Sequence, residues 1–413
     1  MTAITAAPTK GYYYGWNIVA VTALSQAASF GIAINCLSLY IPNWSRDLGV
    51  PVSVLTLCYT VNGGGFSLLA PLAGAIAEKW SVRLMMTIGL LICAGLFGFA
   101  SQVRHAWQLI TLFATLAPVG MIIAGHLPSA LLVSRWFETR RGLAIGLCTM
   151  GQTMAGAVLP PILGVVIPMI GWRPLFLIIA GFLALVCAPT AFFVLRDRPT
   201  TERGVASELN LDRAKSDTDA APAILSVREI WSRPNFWLLL LVSVLGAFMS
   251  AGVSVNLAPL MLNRGFTVVE AGTLISALGL GALATKLLAG YAIDRVSARI
   301  VLSLILLCGV TGVIVLRLAY TYPLLLLGIL LVAGCGALTV PVATTVSREF
   351  GSANFGRAMG MIVFAIIISV FAPPIVAFMR EATHSYDAPL LVLAVGGILA
   401  LLAAQFLRAP KPT

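Results

Sequence analysis

Two side chains stand out for the chemistry they could do inside otherwise apolar sequence. Lys286 interrupts "GALATKLLAGYAI" (281–293), and His126 interrupts "GMIIAGHLPSALLVSRWF" (120–137). An ammonium is a compact charge with three donors and suits a carboxylate. An imidazole can donate a hydrogen bond or take up a proton near neutral pH. Lys286 precedes Asp294 by eight residues and His126 precedes Arg135 by nine. At a helical rise of about 1.5 Å per residue, both lie roughly 12 Å in from a charged helix end. A charge at that depth costs about 2.5 to 3.5 kcal/mol on insertion scales. All fifteen carboxylates fall outside the deep parts of the apolar runs. Lys286 therefore has no evident counter-ion in its own chain. It can be satisfied by water, by carbonyl oxygens, by loss of its proton, or by an anion that comes and goes, and the visiting anion is the favoured reading. The alternatives are a lysine stem stretching toward water and a neutral histidine bonded to a nearby carbonyl.

The elements that must hold these groups are membrane helices. Of 413 residues, 59% are hydrophobic and 10% charged, with a mean hydropathy of +0.98; no soluble domain hides that much apolar surface. Runs long enough to cross roughly 30 Å of hydrocarbon lie near 15–40, 52–76, 84–101, 106–134, 142–169 and 172–195, and again near 235–260, 267–293, 300–319, 323–346, 357–380 and 386–407. The first run is too long for the apolar core of a cleaved signal peptide and is expected to stay as a spanning helix. Connections on the side holding both termini carry 19 Lys and Arg, against six on the other side. The positive-inside rule makes the termini cytoplasmic, so the net charge of +11 is a topology signal and no nucleic-acid partner is expected. Tyr12, Tyr13, Tyr14 and Trp16 are expected as an interfacial aromatic belt. The polar stretch 196–233, with seven basic and seven acidic residues, reads as a cytoplasmic linker between domains 1–195 and 234–413. The seven cysteines are scattered through apolar runs without ligand spacing and read as small packing residues. No metal, cofactor or ATP motif is expected, and no constellation for enzyme chemistry occurs.

The two halves repeat. "GAIAEKWSVRLM" (74–85) overlays "GYAIDRVSARIV" (290–301) without a gap, matching Gly74, Glu78, Lys79, Ser81 and Arg83 with Gly290, Asp294, Arg295, Ser297 and Arg299. "VSRWFETRRGLAIG" (133–146) overlays "VSREFGSANFGRAMG" (346–360) with one extra residue. Asn35 and Asn43 recur approximately as Asn256 and Asn263. Duplicated six-helix bundles of this kind rock about a site near the bilayer midplane. The loop Gly74, Glu78, Lys79, Ser81, Arg83 resembles the G-x-x-x-D-[RK]-x-G-[RK]-[RK] loop of the major facilitator superfamily, with Glu for its Asp and Ser for its second Gly. "YYGWNIVAVTALSQAASFG" (13–31), "LVSRWFETRRGLAIGL" (132–147) and "GWRPLFLIIAG" (171–181) are similar to its monocarboxylate porter group, including the bacterial oxalate/formate exchanger.

The resemblance implies an all-α fold of 12 transmembrane helices in two pseudo-symmetric bundles. It places Lys286 on the arginine of the group's helix 8 pattern R-x-x-x-G-x-x-[DN], which binds substrate carboxylate; here K-L-L-A-G-Y-A-I-D (286–294) keeps the glycine as Gly290 and carries its acid, Asp294, one residue later. His126-Leu127-Pro128 falls in the slot of a Tyr-x-P whose tyrosine contacts substrate. It also implies a cytoplasmic latch of Glu78 with Arg135 and Asp294 with Arg348, alongside the motif residues Gly74, Lys79, Arg83 and Arg295. Helix 11 lacks the exchanger's lysine, so one core cation fits one carboxylate better than two. Asn35, Asn256, Tyr59, Asn62 and Gln152 are further candidates for the cavity wall; each could equally be a helix-to-helix hydrogen bond. The expected function is secondary transport of a small organic anion, a monocarboxylate first of all, with a proton or in exchange for another anion. His126 is the proton-coupling candidate, and the chain is expected to act as a monomer in the cell membrane. The rival expectation is a carrier or efflux pump of the same superfamily for a drug, sugar or aromatic compound, with Lys286 structural.

Overall fold

A computed structural model describes residues 13–137, 141–197, 226–293 and 295–407, with side chains given outside 70–79, 141–142, 227, 351–353 and 356. Among the described residues there are 12 helices long and apolar enough to cross a membrane: α1 Gly15–Asn35, α2 Val52–Leu69, α3 Val82–Ala100, α4 Ala106–Trp136, α5 Leu143–Ile170, α6 Trp172–Val194, α7 Pro234–Asn263, α8 Val268–Ile293, α9 Ala298–Leu318, α10 Tyr322–Phe350, α11 Arg357–Thr383 and α12 Asp387–Gln405. Large apolar side chains such as Leu185, Phe193, Leu288 and Phe378 point outward, exposed, as a hydrocarbon solvent requires.

The first crossing reaches further than the expected 15–40. α1 widens into π-type turns over Ala27–Asn35, and a second helical piece, Leu37–Leu48, ends at Gly49 with φ +65°. α4 is broken at Gly125, whose φ/ψ of −96/−140° is not helical. These departures fall at membrane depth, where irregular backbone is tolerated if it is packed in protein or lines a cavity.

Each half is stapled by polar groups near its helix ends. Arg173 donates to the carbonyls of Ser101 (3.1 Å) and Val103 (2.7 Å) beyond α3, and Arg264 donates to Ala319 (2.8 Å) beyond α9, the repeat-related helix. Cations thus meet the otherwise unpaired carbonyls at both helix C-termini. At the other end of α3, Ser81 caps the helix and donates its hydroxyl to Asp197, which also accepts from the Arg83 N–H (3.1 Å). Tyr13 and Tyr14 do more than sit in an interfacial belt. Their hydroxyls donate to the carbonyls of Trp136 and Val194, and Tyr13 and Trp16 pack edge-on against Phe137. Tyr12 lies outside the described residues.

The halves meet through α5 against α8, α2 against α11, and Leu37–Leu48 against α7. The first two pairings are related by the internal repeat. Glycines allow them: a Cβ on Gly272 would stand 2.5 Å from the Pro160 carbonyl oxygen, and one on Gly279 would stand 3.0 Å from Gly156. Close backbone approach replaces hydrophobic driving force between helices in lipid. Hydrogen bonds cross between halves at the face away from the basic loops. Thr60 donates to the Val370 carbonyl (2.7 Å), the Ala258 N–H donates to Ser38 (2.8 Å), Ser276 donates to the Ala157 carbonyl, and Ser53 bonds Glu381.

Candidate functional site

Between the halves lies a cavity of about 820 Å³. Its wall combines α1, α2, α4 and α5 with α7, α8 and α10, and it runs along α5 from Leu143, near the basic face, to Gly156. Lys286 and His126 both line it, one from each half, as do Asn35, Tyr59 and Gln152. Helical counting had put the lysine and histidine at one depth; the fold turns both toward one space.

Each is positioned by a local feature of its helix. The break at Gly125 makes His126 the first residue of the helical piece His126–Trp136, leaving its side chain exposed to the cavity. Lys286 stands on unbroken α8 and is half-buried. No carboxylate among the described residues comes within ion-pair distance of it, and no described group hydrogen-bonds its Nζ; the ion pairs among described residues are Arg46 with Asp47 and Arg233 with Glu349. Asn35 ends the π-type stretch of α1 and donates to the Gln152 carbonyl (2.9 Å). Gly156 permits that approach, since a Cβ there would fall 2.7 Å from the Asn35 amide nitrogen.

Asn256 stands apart from this wall. It is buried at 2% exposure, and its amide donates to the carbonyls of Gly252 (3.0 Å) and Pro373 (3.1 Å), which makes it a link between α7 and α11. Asn62 is likewise buried and outside the lining. Hydroxyls that sequence reading passed over are in the wall: Thr149, Thr153, Ser250 and Ser254. The only signal for them was a Ser or Thr within an apolar run, and such residues commonly bond back to their own helix.

The expected latch falls largely outside the description. Arg135 and Arg348 lie toward the basic ends of α4 and α10. The side chains of Gly74, Glu78 and Lys79 and all of Asp294 are outside the described residues. Arg83 stacks on Phe192 (4.7 Å) and Arg295 on Tyr291 (3.7 Å), each within its own half.

The arrangement is a two-sided cavity with an ammonium-bearing lysine, an imidazole, amides and hydroxyls, sealed at one end by contacts between repeated bundles. It can hold a polar or anionic solute and release it when the seal moves. The family model described as Major Facilitator Superfamily matches residues 23–267 and 240–413. Monocarboxylate transporter 12 of Mus musculus is 25% identical over 100% of this chain and 89% of its own length. Riboflavin transporter RibJ of Trypanosoma cruzi is 29% identical over 45% of this chain and 40% of its own. The solved structure of a bacterial homolog to the human lysosomal transporter Spinster, inward-facing and unoccupied, superposes with a TM-score of 0.74 at 16% identity, covering 96% of this chain and 98% of that one. Repeated bundles, a cavity between them and a match along nearly the whole length agree: the chain is a membrane carrier and not an enzyme, and it belongs to the major facilitator superfamily.

Proposed function

We propose that the protein is a secondary transporter of a small monovalent organic anion, a monocarboxylate, moved with a proton or exchanged for another anion across the cell membrane. The observation that carries this reading is Lys286, a cavity-facing cation for which the described residues offer no carboxylate. A charge without a partner at this depth is costly, and a carboxylate cargo offsets that cost each time it binds. His126 faces the same space and supplies a second donor or a proton-accepting group. Similarity to proteins named monocarboxylate transporters supports the same class. With both termini cytoplasmic, the cavity opens inward and the bonded face is the outer one.

The test is uptake of a labelled carboxylate panel into proteoliposomes by wild type, Lys286→Gln and Lys286→Arg. Truncating one partner of a buried charged contact costs about 2 kcal/mol or more, so the glutamine variant should lose roughly 30-fold or more in apparent affinity, with partial recovery by arginine. Unchanged kinetics for every transported acid would remove Lys286 from the site. A second reading, a carrier for an uncharged ring compound, draws on the partial similarity to a riboflavin transporter. Riboflavin in the same panel separates the two, because its uptake would not need the ammonium.

A further inference from the structure

A second chamber of about 300 Å³ adjoins the main cavity, and Tyr59, Ser250, Ser254 and Gly336 belong to the walls of both. Apart from Tyr59, its wall comes from α7, α10 and α11 of the second half. Among the described residues no Lys, Arg, His, Asp or Glu lines it; five aliphatic hydroxyls do, from Ser243, Ser250, Ser254, Thr339 and Ser369. Ser243 and Ser254 give their protons to carbonyls of their own helix, at Leu239 and Ala251. Ser250, Thr339 and Ser369 add three more hydroxyls, of which Ser369 is buried, Ser250 half-buried and Thr339 exposed. Hydroxyls gathered on one wall offer hydrogen bonds to a cargo that carries polar groups. The rest of the wall, including Val342, Ile362 and Ile366, is hydrocarbon.

The backbone points to the same place. α10 tightens to 3₁₀ turns over Gly334–Ala337 and α11 over Ile366–Phe371, and both stretches border the chamber. A 3₁₀ stretch within a helix often marks a functional hinge or local strain. Gly336 lies at the neck between the two spaces: a Cβ there would stand 3.0 Å from the Cβ of Ala282, one turn from Lys286 on α8. The chamber is therefore reached from the space beside the ammonium.

Resting on the carboxylate reading of Lys286, we propose that this chamber is a second subsite, which takes the uncharged body of the cargo. The cargo is a monocarboxylate whose body carries a hydroxyl or carbonyl group on a hydrocarbon frame, not a two- or three-carbon acid. A water occupies about 30 Å³, so the chamber alone holds on the order of ten water volumes, far more than a short acid fills. A second carboxylate is disfavoured there because it would be desolvated with no cation to meet it.

Competition against labelled acetate in proteoliposomes tests this, with 6-hydroxyhexanoate, hexanoate and adipate as probes. 6-Hydroxyhexanoate should bind at least tenfold more tightly than acetate or adipate, and more tightly than hexanoate. In Ala247→Phe, which fills the chamber, and in the double variant Thr339→Val with Ser369→Ala, the ratio of 6-hydroxyhexanoate to acetate affinity should fall at least fivefold. Both affinities are read on the same vesicles, so loss of folded protein cancels. An unchanged ratio in both variants, or equal affinity for all four acids in wild type, overturns the chamber proposal while leaving the carboxylate reading intact. Transport of no acid at all, with uptake of an uncharged solute, overturns the carboxylate reading itself.

Discussion

Ser53, at the start of α2, gives both its backbone N–H (2.9 Å) and its hydroxyl (2.5 Å) to the carboxylate of Glu381, on α11 of the other half. One acidic side chain thus caps a helix N-terminus and ties the two bundles together. Both bonds are charge-assisted, a kind worth about 1.5 to 3 kcal/mol each, and both must break when this face opens. Glu381→Gln keeps the shape but loses the charge and one acceptor oxygen. The variant should move the equilibrium toward opening at this face by roughly tenfold, the equivalent of about 1.4 kcal/mol. Spin labels at Arg46 and Ala382 would read the change as a longer-distance population; an unaltered distance distribution would show that the contact does not hold the face shut.

His126 faces the cavity from the broken end of a helical piece, with no carboxylate among the described wall residues to compete for a proton. His126→Gln keeps a hydrogen-bond donor but cannot be protonated at neutral pH. It should still exchange carboxylate for carboxylate, yet lose at least tenfold of the uptake driven by an inward proton gradient. Equal stimulation by that gradient in wild type and variant would take the histidine out of coupling.

The α5 and α8 contact depends on the absence of side chains. Gly272→Val would push methyl groups into the Pro160 carbonyl, where even a Cβ stands at 2.5 Å. Overpacking of this kind costs about 1 to 3 kcal/mol. Reduced thermal stability in detergent and slowed transport are expected, with Gly290→Val, where nothing lies within 4 Å, as the neutral comparison. Equal behaviour of the two variants would mean that the halves do not need this approach.

Much of the framework was legible because membrane helices announce themselves by length and the repeat by matched loops. The depths of Lys286 and His126 followed from counting residues to the nearest charged end. Counting gives depth along a helix, not direction around the bundle, and that is why Asn256, at a plausible depth, turned out to bind α11 rather than face the cavity. Ser81 read only as a lost glycine, because its partner Asp197 lies more than a hundred residues away in what looked like linker. The hydroxyl chamber was invisible for a similar reason: its residues are ordinary singly, and three helices are needed to gather them.

The connection between the halves is anchored at each margin. Asp197 is bound to α3, and the capped helix Val227–Trp231 rests on the second bundle, where Arg233 pairs with Glu349. Each bundle therefore keeps its own fastening. A gene split within codons 198–225 should therefore yield two co-expressed polypeptides that recombine into a working carrier, and absence of transport with both halves present in the membrane would show that the covalent join is needed.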